Sequence, residues 1–194
     1  KLIKVITWIR RWGKSTLFNL YIDYLKEIWV KDDHIISINL ESLDYNFKDY
    51  RELYEYINSK LVDKNKYYIF LDEIQNIVDF EKVVDALYIK DNVDEYITWS
   101  NAYLLSWELA TLLGWRYIEI KMYPLSFKEY VDYYNQQWDE KMYKQYIEKS
   151  SFPYALSLET QSEIDQYLEW IYNTIIVKDV AKRSNLWDTS VLRS

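Results

Sequence analysis

The stretch VITWIRRWGKSTLFNL, residues 5–20, decides which fold the sequence predicts. Its centre, Gly13-Lys14-Ser15-Thr16, matches the end of the pattern G-x-x-x-x-G-K-[ST], in which backbone N–H groups and a helix N-terminus face phosphate groups. The pattern requires glycine at position 8, where this chain has Trp8. A basic turn followed by an ordinary helix N-cap could have the same four residues. The flanking segments must therefore distinguish a phosphate-binding loop from such a turn.

Those segments predict a strand before the loop and a helix after it. Residues 2–7 form a short apolar run rich in β-branched side chains, and residues 15–28 place apolar side chains at helical spacing. Further strands are predicted at 34–41, 67–71, 95–98 and 116–123, with helices between them at 47–63, 80–90 and 102–113. This alternation indicates an α/β fold of the P-loop NTPase type, with a parallel β-sheet flanked by helices.

The pattern changes to helices alone after Pro124. Helices are predicted at 126–134, 139–149 and 162–183. We therefore place a domain boundary at this proline: residues 1–124 are predicted to form the core that carries the phosphate-binding loop, and residues 125–194 a small helical subdomain.

Composition narrows the classes of function. The chain of 194 residues has 24 basic and 31 acidic side chains, a net charge of −7. This charge disfavours a duplex-binding surface spread over the whole domain but permits a local basic groove, so nucleic acid is a secondary hypothesis. There is no Cys and one His, so thiolate and histidine-rich metal centres are not expected, and His34 is expected at the surface. No apolar run approaches the roughly 20 residues that span a bilayer, and no signal peptide is in view, so we expect a cytoplasmic protein without a membrane partner.

Glycine and tryptophan occur in unusual numbers. The chain has 2 Gly and 9 Trp, and most of the tryptophans lie where a turn is predicted: Trp8, Trp12, Trp29, Trp99, Trp138 and Trp187. Turns use glycine because it adopts positive φ and lets the backbone approach closely. The hypothesis is that many of these tryptophans occupy positions where a parent sequence had glycine, which an intact mass would test.

Two segments carry the side chains that nucleotide chemistry needs. Lys14 supplies a positive charge for phosphates and Ser15 a hydroxyl for Mg²⁺. The apolar strand at 67–71 ends in Asp72-Glu73, which supply one carboxylate for the water shell of the metal and another to polarise an attacking water. Two solvated carboxylates at the end of a strand are the alternative, which the upstream loop disfavours.

Two further elements are less specific. A polar residue in Thr98-Trp99-Ser100-Asn101, after a later strand, could orient the water or contact the γ-phosphate, although Ser-Asn is also an ordinary helix N-cap pair. Arg116 could stabilise charge on the γ-phosphate, in cis or from a neighbouring subunit, or could simply pair with an acidic neighbour.

Four segments together resemble a known family. They are WIRRWGKST (8–16), YYIFLDEIQ (67–75), ITWSNAYLL (97–105) and WRYIEIKMYPLSFKEY (115–130). In this order and spacing they resemble the archaeal and bacterial AAA-like P-loop ATPases that carry a carboxy-terminal domain of the DUF4143 type. In that family they are Walker A, Walker B, sensor 1 and an arginine-bearing strand that leads into a PLSF motif. The resemblance covers nearly the whole chain.

The resemblance implies the cofactors ATP and Mg²⁺ and a role for each matching residue. The binding loop would comprise Arg11, Trp12, Gly13, Lys14, Ser15 and Thr16, with Lys14 at the β- and γ-phosphates. Ser15 and Asp72 would hold the magnesium, Glu73 the water, Asn101 or Ser100 the sensor role, and Arg116 a finger role. The family would place glycine at 8, 99 and 115, where this chain has tryptophan, and Trp8 would weaken ATP binding if φ there must be positive.

The sequence therefore predicts an ATPase core in which binding and hydrolysis of Mg·ATP drive a conformational change. Its expected partners are ATP and ADP, the family's carboxy-terminal domain, which would be missing after Ser194, and further copies of the chain if Arg116 acts in trans. The alternatives are a nucleotide-dependent switch or scaffold with little hydrolysis, a DNA-associated ATPase, and a P-loop domain that has lost its nucleotide through the tryptophans.

Overall fold

The computed structural model describes residues 1–7, 13–99, 111–149 and 151–174. They form two compact units, which divide after Met122. The predicted boundary at Pro124 falls next to this division. Of the predicted helix at 102–113, only the last three residues lie within the described part of the chain, and the predicted helix at 162–183 is described only as far as residue 174.

The first unit contains a β-sheet of five parallel strands. The strands are β1 (Ile3–Thr7), β2 (Ile35–Asn39), β3 (Tyr67–Asp72), β4 (Val93–Trp99) and β5 (Tyr117–Lys121). Their order across the sheet is β2-β3-β4-β1-β5. The parallel sheet predicted from the alternating pattern is thus confirmed.

Helices cover both faces of this sheet. They are α1 (Lys14–Glu27), α2 (Tyr50–Lys60) and α3 (Phe80–Tyr88). On one face, Phe18 and Leu25 of α1 pack with Ile6 and Phe70 of the strands. On the other face, buried side chains of α2 and α3 share one core with β1 to β4. Burial on both faces explains why β3 reads as a continuous apolar run rather than an alternating one.

Most elements lie within a few residues of their predicted bounds, and the starts of helix α2 and strand β4 are among the differences. Helix α2 begins later than the predicted residue 47, because the Asp49 carboxylate accepts hydrogen bonds from the backbone N–H groups of Arg51 and Glu52 and caps the helix there. Strand β4 begins at Val93, before the predicted residue 95, and so includes Asp94, which is buried despite its charge. A charged residue at position 94 is atypical of a buried strand, so the sequence did not indicate this start.

The second unit is helical in its described residues. It contains α4 (Phe127–Tyr133), α5 (Glu140–Lys149) and α6 (Gln161–Thr174). A small core of Tyr130, Met142 and Leu156 joins α4, α5 and the 3₁₀ turn Pro153–Ser157. Two further 3₁₀ turns, Asp32–His34 and Ile74–Asn76, belong to the first unit.

His34 is not at the surface, contrary to the expectation from the two aspartates beside it. Only 7% of the residue is exposed, its ring packs edge-on against Tyr67 at 4.7 Å between ring centroids, and its Nε2 lies 3.2 Å from Asp63 Oδ2. In the described ranges, no helix has both the length and the apolar character that crossing a membrane requires.

Candidate functional site

The candidate site lies where the carboxyl ends of the central strands meet. Thr7 pairs with Trp99 of the neighbouring strand β4, and Asn39 of β2 pairs with Asp72 of β3. Because all the strands are parallel, the carboxyl ends of β1, β3 and β4 lie at the same end of the sheet. This is the end at which ligands bind in open α/β sheets.

Helix α1 begins within the predicted phosphate-binding loop, directly after Gly13. Gly13 is the N-cap of this helix and has φ of 86°, a left-handed conformation that glycine adopts without strain. Lys14 is the first helical residue and is buried, and Ser15 follows it at the exposed N-terminus. The partial positive charge of a helix N-terminus favours an anion at this point. Trp8, Arg11 and Trp12 lie outside the described residues.

Asp72, the last residue of β3, contacts the first turn of α1. Ser15 Oγ donates a hydrogen bond to Asp72 Oδ2 at 2.5 Å, and Asp72 is only 6% exposed. The other carboxylate oxygen, Oδ1, accepts a hydrogen bond from the hydroxyl of Thr98. The fold therefore brings together the hydroxyl and the carboxylate that the sequence assigned to magnesium, although they are 57 positions apart in the chain.

Glu73 has a strained backbone. Its φ of 57° lies in the left-handed region, which is disfavoured for every residue with a Cβ, and only 9% of the residue is exposed. Its backbone N–H donates to Thr98 Oγ1 at 2.9 Å, and its carboxylate accepts a hydrogen bond from Gln75 Nε2. Strained residues of this kind cluster at functional sites, where the surrounding contacts hold them in place.

Sequence reasoning assigned no role of its own to Thr98 in this network. The sequence placed it both at the end of the predicted strand 95–98 and in the polar segment 98–101, and the structure has it inside β4 and fully buried. A signal was present: Thr98 is the one polar residue in the apolar run Ile97–Trp99, next to the strand that ends in Asp72. Ser100 and Asn101, to which the sensor role was assigned, lie outside the described residues.

Trp99 does not occupy a turn. It ends strand β4, pairs with Thr7, is 7% exposed and packs edge-on against Phe80 with 4.7 Å between ring centroids. The expectation that the backbone requires glycine at position 99 is therefore wrong, because φ there is not positive. The Trp99 side chain instead fills a place in the core.

Arg116 is not brought to the site. It precedes β5, and its carbonyl accepts a hydrogen bond from the N–H of Ile3, the first residue of β1, so it lies at the amino end of the sheet. A five-residue strand rises about 3.3 Å per residue, so about 16 Å separates this end of the sheet from the carboxyl ends of the strands. Its guanidinium bonds Asp85 Oδ1 at 2.5 Å and lies over the ring of Tyr88. The acidic neighbour weighed in the sequence is thus present, and among the described residues Arg116 forms its ion pair with Asp85 and not with either carboxylate of the site.

The chain is similar to a known protein family and to curated proteins. The family described as AAA domain matches residues 1–131. An uncharacterized protein of Haemophilus influenzae is 39% identical over 99% of this chain and 49% of its own length. Uncharacterized protein MJ1544 of Methanocaldococcus jannaschii is 28% identical over 99% of this chain and 45% of its own length. The chain thus spans about half the length of the curated relatives it matches.

Two solved structures share the fold at low sequence identity. C. elegans PCH-2 is similar with a TM-score of 0.51 and 18% identity, over 67% of this chain and 37% of that one. AMPPCP-bound DnaA from Aquifex aeolicus is similar with a TM-score of 0.50 and 12% identity, over 89% of this chain and 55% of that one. These likenesses bear on the fold alone.

Proposed function

The chain belongs to the AAA domain family of nucleotide-binding ATPases, and from this premise we propose that it binds Mg·ATP at the carboxyl end of the sheet and hydrolyses it. The observation that carries the proposal is the hydrogen bond from Ser15 Oγ to Asp72 Oδ2 at 2.5 Å. It joins the loop that would bind phosphate to the strand that would bind the metal.

The side chains that meet here have the chemistry for each role. Lys14 would neutralise the β- and γ-phosphates beside the N-terminus of α1, and the backbone N–H of Thr16 would assist at the α-phosphate. Arg11 and Trp12 would flank the phosphates in the loop. Glu73 would orient and polarise the attacking water.

The oxygen ligands of this site fit Mg²⁺. This ion prefers oxygen and is usually bound through one or two carboxylates together with substrate phosphates and waters. Ser15 and Asp72 supply one hydroxyl and one carboxylate within hydrogen-bonding distance of each other. Bound there, the ion would neutralise charge on the phosphates during transfer.

The partner domain, the roles of the remaining predicted site residues and the location in the cell are also proposals. The curated relatives are about twice as long as this chain, which supports the proposal that the ATPase core works with a further domain, of the DUF4143 type in the resembled family. Hydrolysis would then move that domain or a neighbouring subunit. Arg116 would act on a nucleotide only in trans, and Asn101 or Ser100 would sense the γ-phosphate. We further propose a cytoplasmic location.

A substitution at Lys14 tests nucleotide binding. Lys14→Ala should weaken ATP binding at least tenfold, because it removes the positive charge beside the phosphates. Lys26→Ala is the matched control, since Lys26 lies exposed in the last turn of the same helix and should leave binding unchanged. Titration with a fluorescent ATP analogue gives both affinities, and equal affinities in wild type and Lys14→Ala would contradict the proposal.

A substitution at Glu73 separates an ATPase from a switch. The hydrogen bond from Gln75 to the Glu73 carboxylate favours the switch as a second candidate, because it engages the group that would polarise the water. Glu73→Gln should abolish turnover by an ATPase and retain ATP binding. If the wild type binds ATP but releases no phosphate above background, the switch is the better description.

A further inference from the structure

The hydroxyl of Thr98 connects both carboxylate residues of the site. Thr98 is 0% exposed, on a strand in the middle of the sheet. Its Oγ1 donates to Asp72 Oδ1 and accepts from the backbone N–H of Glu73 at 2.9 Å. A hydroxyl has a single hydrogen to donate, so the bond to Asp72 commits that hydrogen and leaves the lone pairs for Glu73.

The first bond fixes the orientation of the Asp72 carboxylate. Rotation about the last side-chain torsion of Asp is broad and roughly two-fold, so an unanchored carboxylate would turn easily. Oδ1 is held by Thr98 from inside the sheet, whereas Oδ2 is held by Ser15 from the exposed start of α1. The anchor at Oδ1 therefore keeps Oδ2 directed toward α1, where the metal would bind.

The second bond supports the strained backbone of Glu73. This residue has φ of 57°, and its backbone N–H, which belongs to a buried residue, donates a hydrogen bond to the Thr98 hydroxyl at 2.9 Å. A buried N–H without a partner is disfavoured, so the contact helps to retain the left-handed conformation. That conformation determines the direction in which the Glu73 side chain leaves the end of β3.

We propose that Thr98 is a positioning residue that sets Asp72 and Glu73 for hydrolysis of the bound nucleotide. It acts through these two residues and not on the nucleotide itself. The inference rests on the proposed function of the site. In this proposal the buried hydroxyl of Thr98 aligns both Asp72, which would hold the metal, and Glu73, which would polarise the water.

The first test needs no nucleotide. In the full chain, hydrogen exchange of the Glu73 amide is followed by NMR in the wild type, Thr98→Val and Thr98→Ser. Thr98→Val has nearly the same shape and lacks the hydroxyl, so exchange at Glu73 should accelerate about tenfold or more, whereas Thr98→Ser should keep the protection. Equal protection in Thr98→Val would overturn the contact on which the inference depends.

The second test measures turnover. Thr98→Val should lower kcat about 10- to 100-fold and raise the Mg²⁺ concentration that gives the half-maximal rate, because the reacting groups lose their alignment. KM for ATP should change less than about threefold, because the groups that bind the nucleotide stay in place. Thr98→Ser should restore kcat to within about threefold of wild type. A wild-type kcat and Mg²⁺ dependence in Thr98→Val would overturn the inference.

A matched control separates positioning from general damage. Thr7 ends the neighbouring strand β1, and its hydroxyl also donates to a carboxylate, Glu119 Oε1, at 2.7 Å. Thr7→Val should leave kcat and the Mg²⁺ dependence near wild type, and an equal loss in both variants would overturn the specific role of Thr98. If Thr98→Val fails to fold, Thr98→Ala takes its place with the same expected loss of kcat.

The outcomes distinguish this inference from the proposed function. A wild-type chain that binds no ATP, and is therefore equal to Lys14→Ala in the titration, would overturn the proposed function and the inference together. A wild-type chain that binds and hydrolyses ATP, with Thr98→Val unchanged in kcat, would overturn the inference alone.

Discussion

Glu95 lies in an environment that disfavours its charged form. It lies within β4, beside Ile69 of β3, and is 2% exposed. Neither of its carboxylate oxygens has a hydrogen-bond partner among the described residues. Burial raises the pKa of Glu95 to about 8, with Asp85 and Asp94 adding to the rise and Lys1 and Lys4 opposing it. At neutral pH the buried side chain is therefore mainly in its uncharged form.

This raised pKa should make stability depend on pH. Below the ordinary pKa of 4.5 Glu95 is protonated in both states, and between 4.5 and about 8 the folded state binds the additional proton. The favourable contribution is therefore complete below the unfolded pKa and is lost as the pH rises toward 8. We expect the free energy of unfolding of the wild type to fall relative to Glu95→Gln across this window, measured by urea denaturation at several pH values.

The matched control for this prediction is Glu55→Gln. Glu55 is an exposed residue of α2, so its substitution should leave the pH dependence of the wild type in place. Parallel curves for the wild type and Glu95→Gln between pH 4.5 and 8 would contradict the assignment of the pH dependence to Glu95.

At the scale of elements, two tryptophans lie in turns that favour glycine. Trp29 follows helix α1 with φ of 68°, and the N–H groups of Trp29 and Val30 bond the carbonyls of Lys26 and Leu25, as in a Schellman motif. Trp115, with φ of 61°, precedes β5 in a tight turn closed by the bond from Arg116 N–H to Leu113 O. At these two positions the hypothesis of tryptophan in place of glycine agrees with the backbone.

Replacing these residues by glycine should therefore stabilise the protein. Trp29 is 92% and Trp115 80% exposed, so little buried area is lost. Each of Trp29→Gly and Trp115→Gly should raise the free energy of unfolding by about 1 kcal/mol. The left-handed conformation costs a residue with a Cβ about 1–2 kcal/mol, and glycine avoids this cost. Part of the gain is lost because glycine makes the unfolded chain more flexible. Thermal or urea unfolding measures the change.

Trp138 offers the control for these turns. It is 76% exposed and lies between α4 and α5, but its φ is not positive. Trp138→Gly should give no gain in stability, since glycine relieves no strain there and adds freedom to the unfolded chain. A gain at Trp138 equal to that at Trp29 would show that the effect does not come from the backbone conformation.

At the scale of the whole molecule, the chain has more than one core. The first unit has a sheet with a core on each face, and the second unit has its own core of Tyr130, Met142 and Leu156. Separate cores predict separate responses to substitution, because a core substitution acts through the contacts that it removes.

Met142→Ala and Leu53→Ala test this separation as a reciprocal pair. Met142 is 4% and Leu53 0% exposed, so each substitution should cost about 2–5 kcal/mol in its own unit. Hydrogen exchange followed residue by residue should accelerate in α4 and α5 for Met142→Ala and in β3 and α2 for Leu53→Ala. Uniform acceleration over the chain in either variant would mean that the two units unfold as one.

The sequence by itself determined the types and order of the strands and helices, and two of the segments that form the candidate site. Periodicity along the chain predicts the strands and helices, and GKST with a buried strand ending in Asp-Glu predicts a nucleotide site, because these signals depend on residues near one another in sequence. Only the tertiary structure decided that Thr98 joins Asp72 and Glu73, that Arg116 lies at the other end of the sheet, and that His34 is buried. These facts follow from which strands become neighbours and in what register. Pairing of that kind forms between residues far apart in the chain, and local patterns do not encode it.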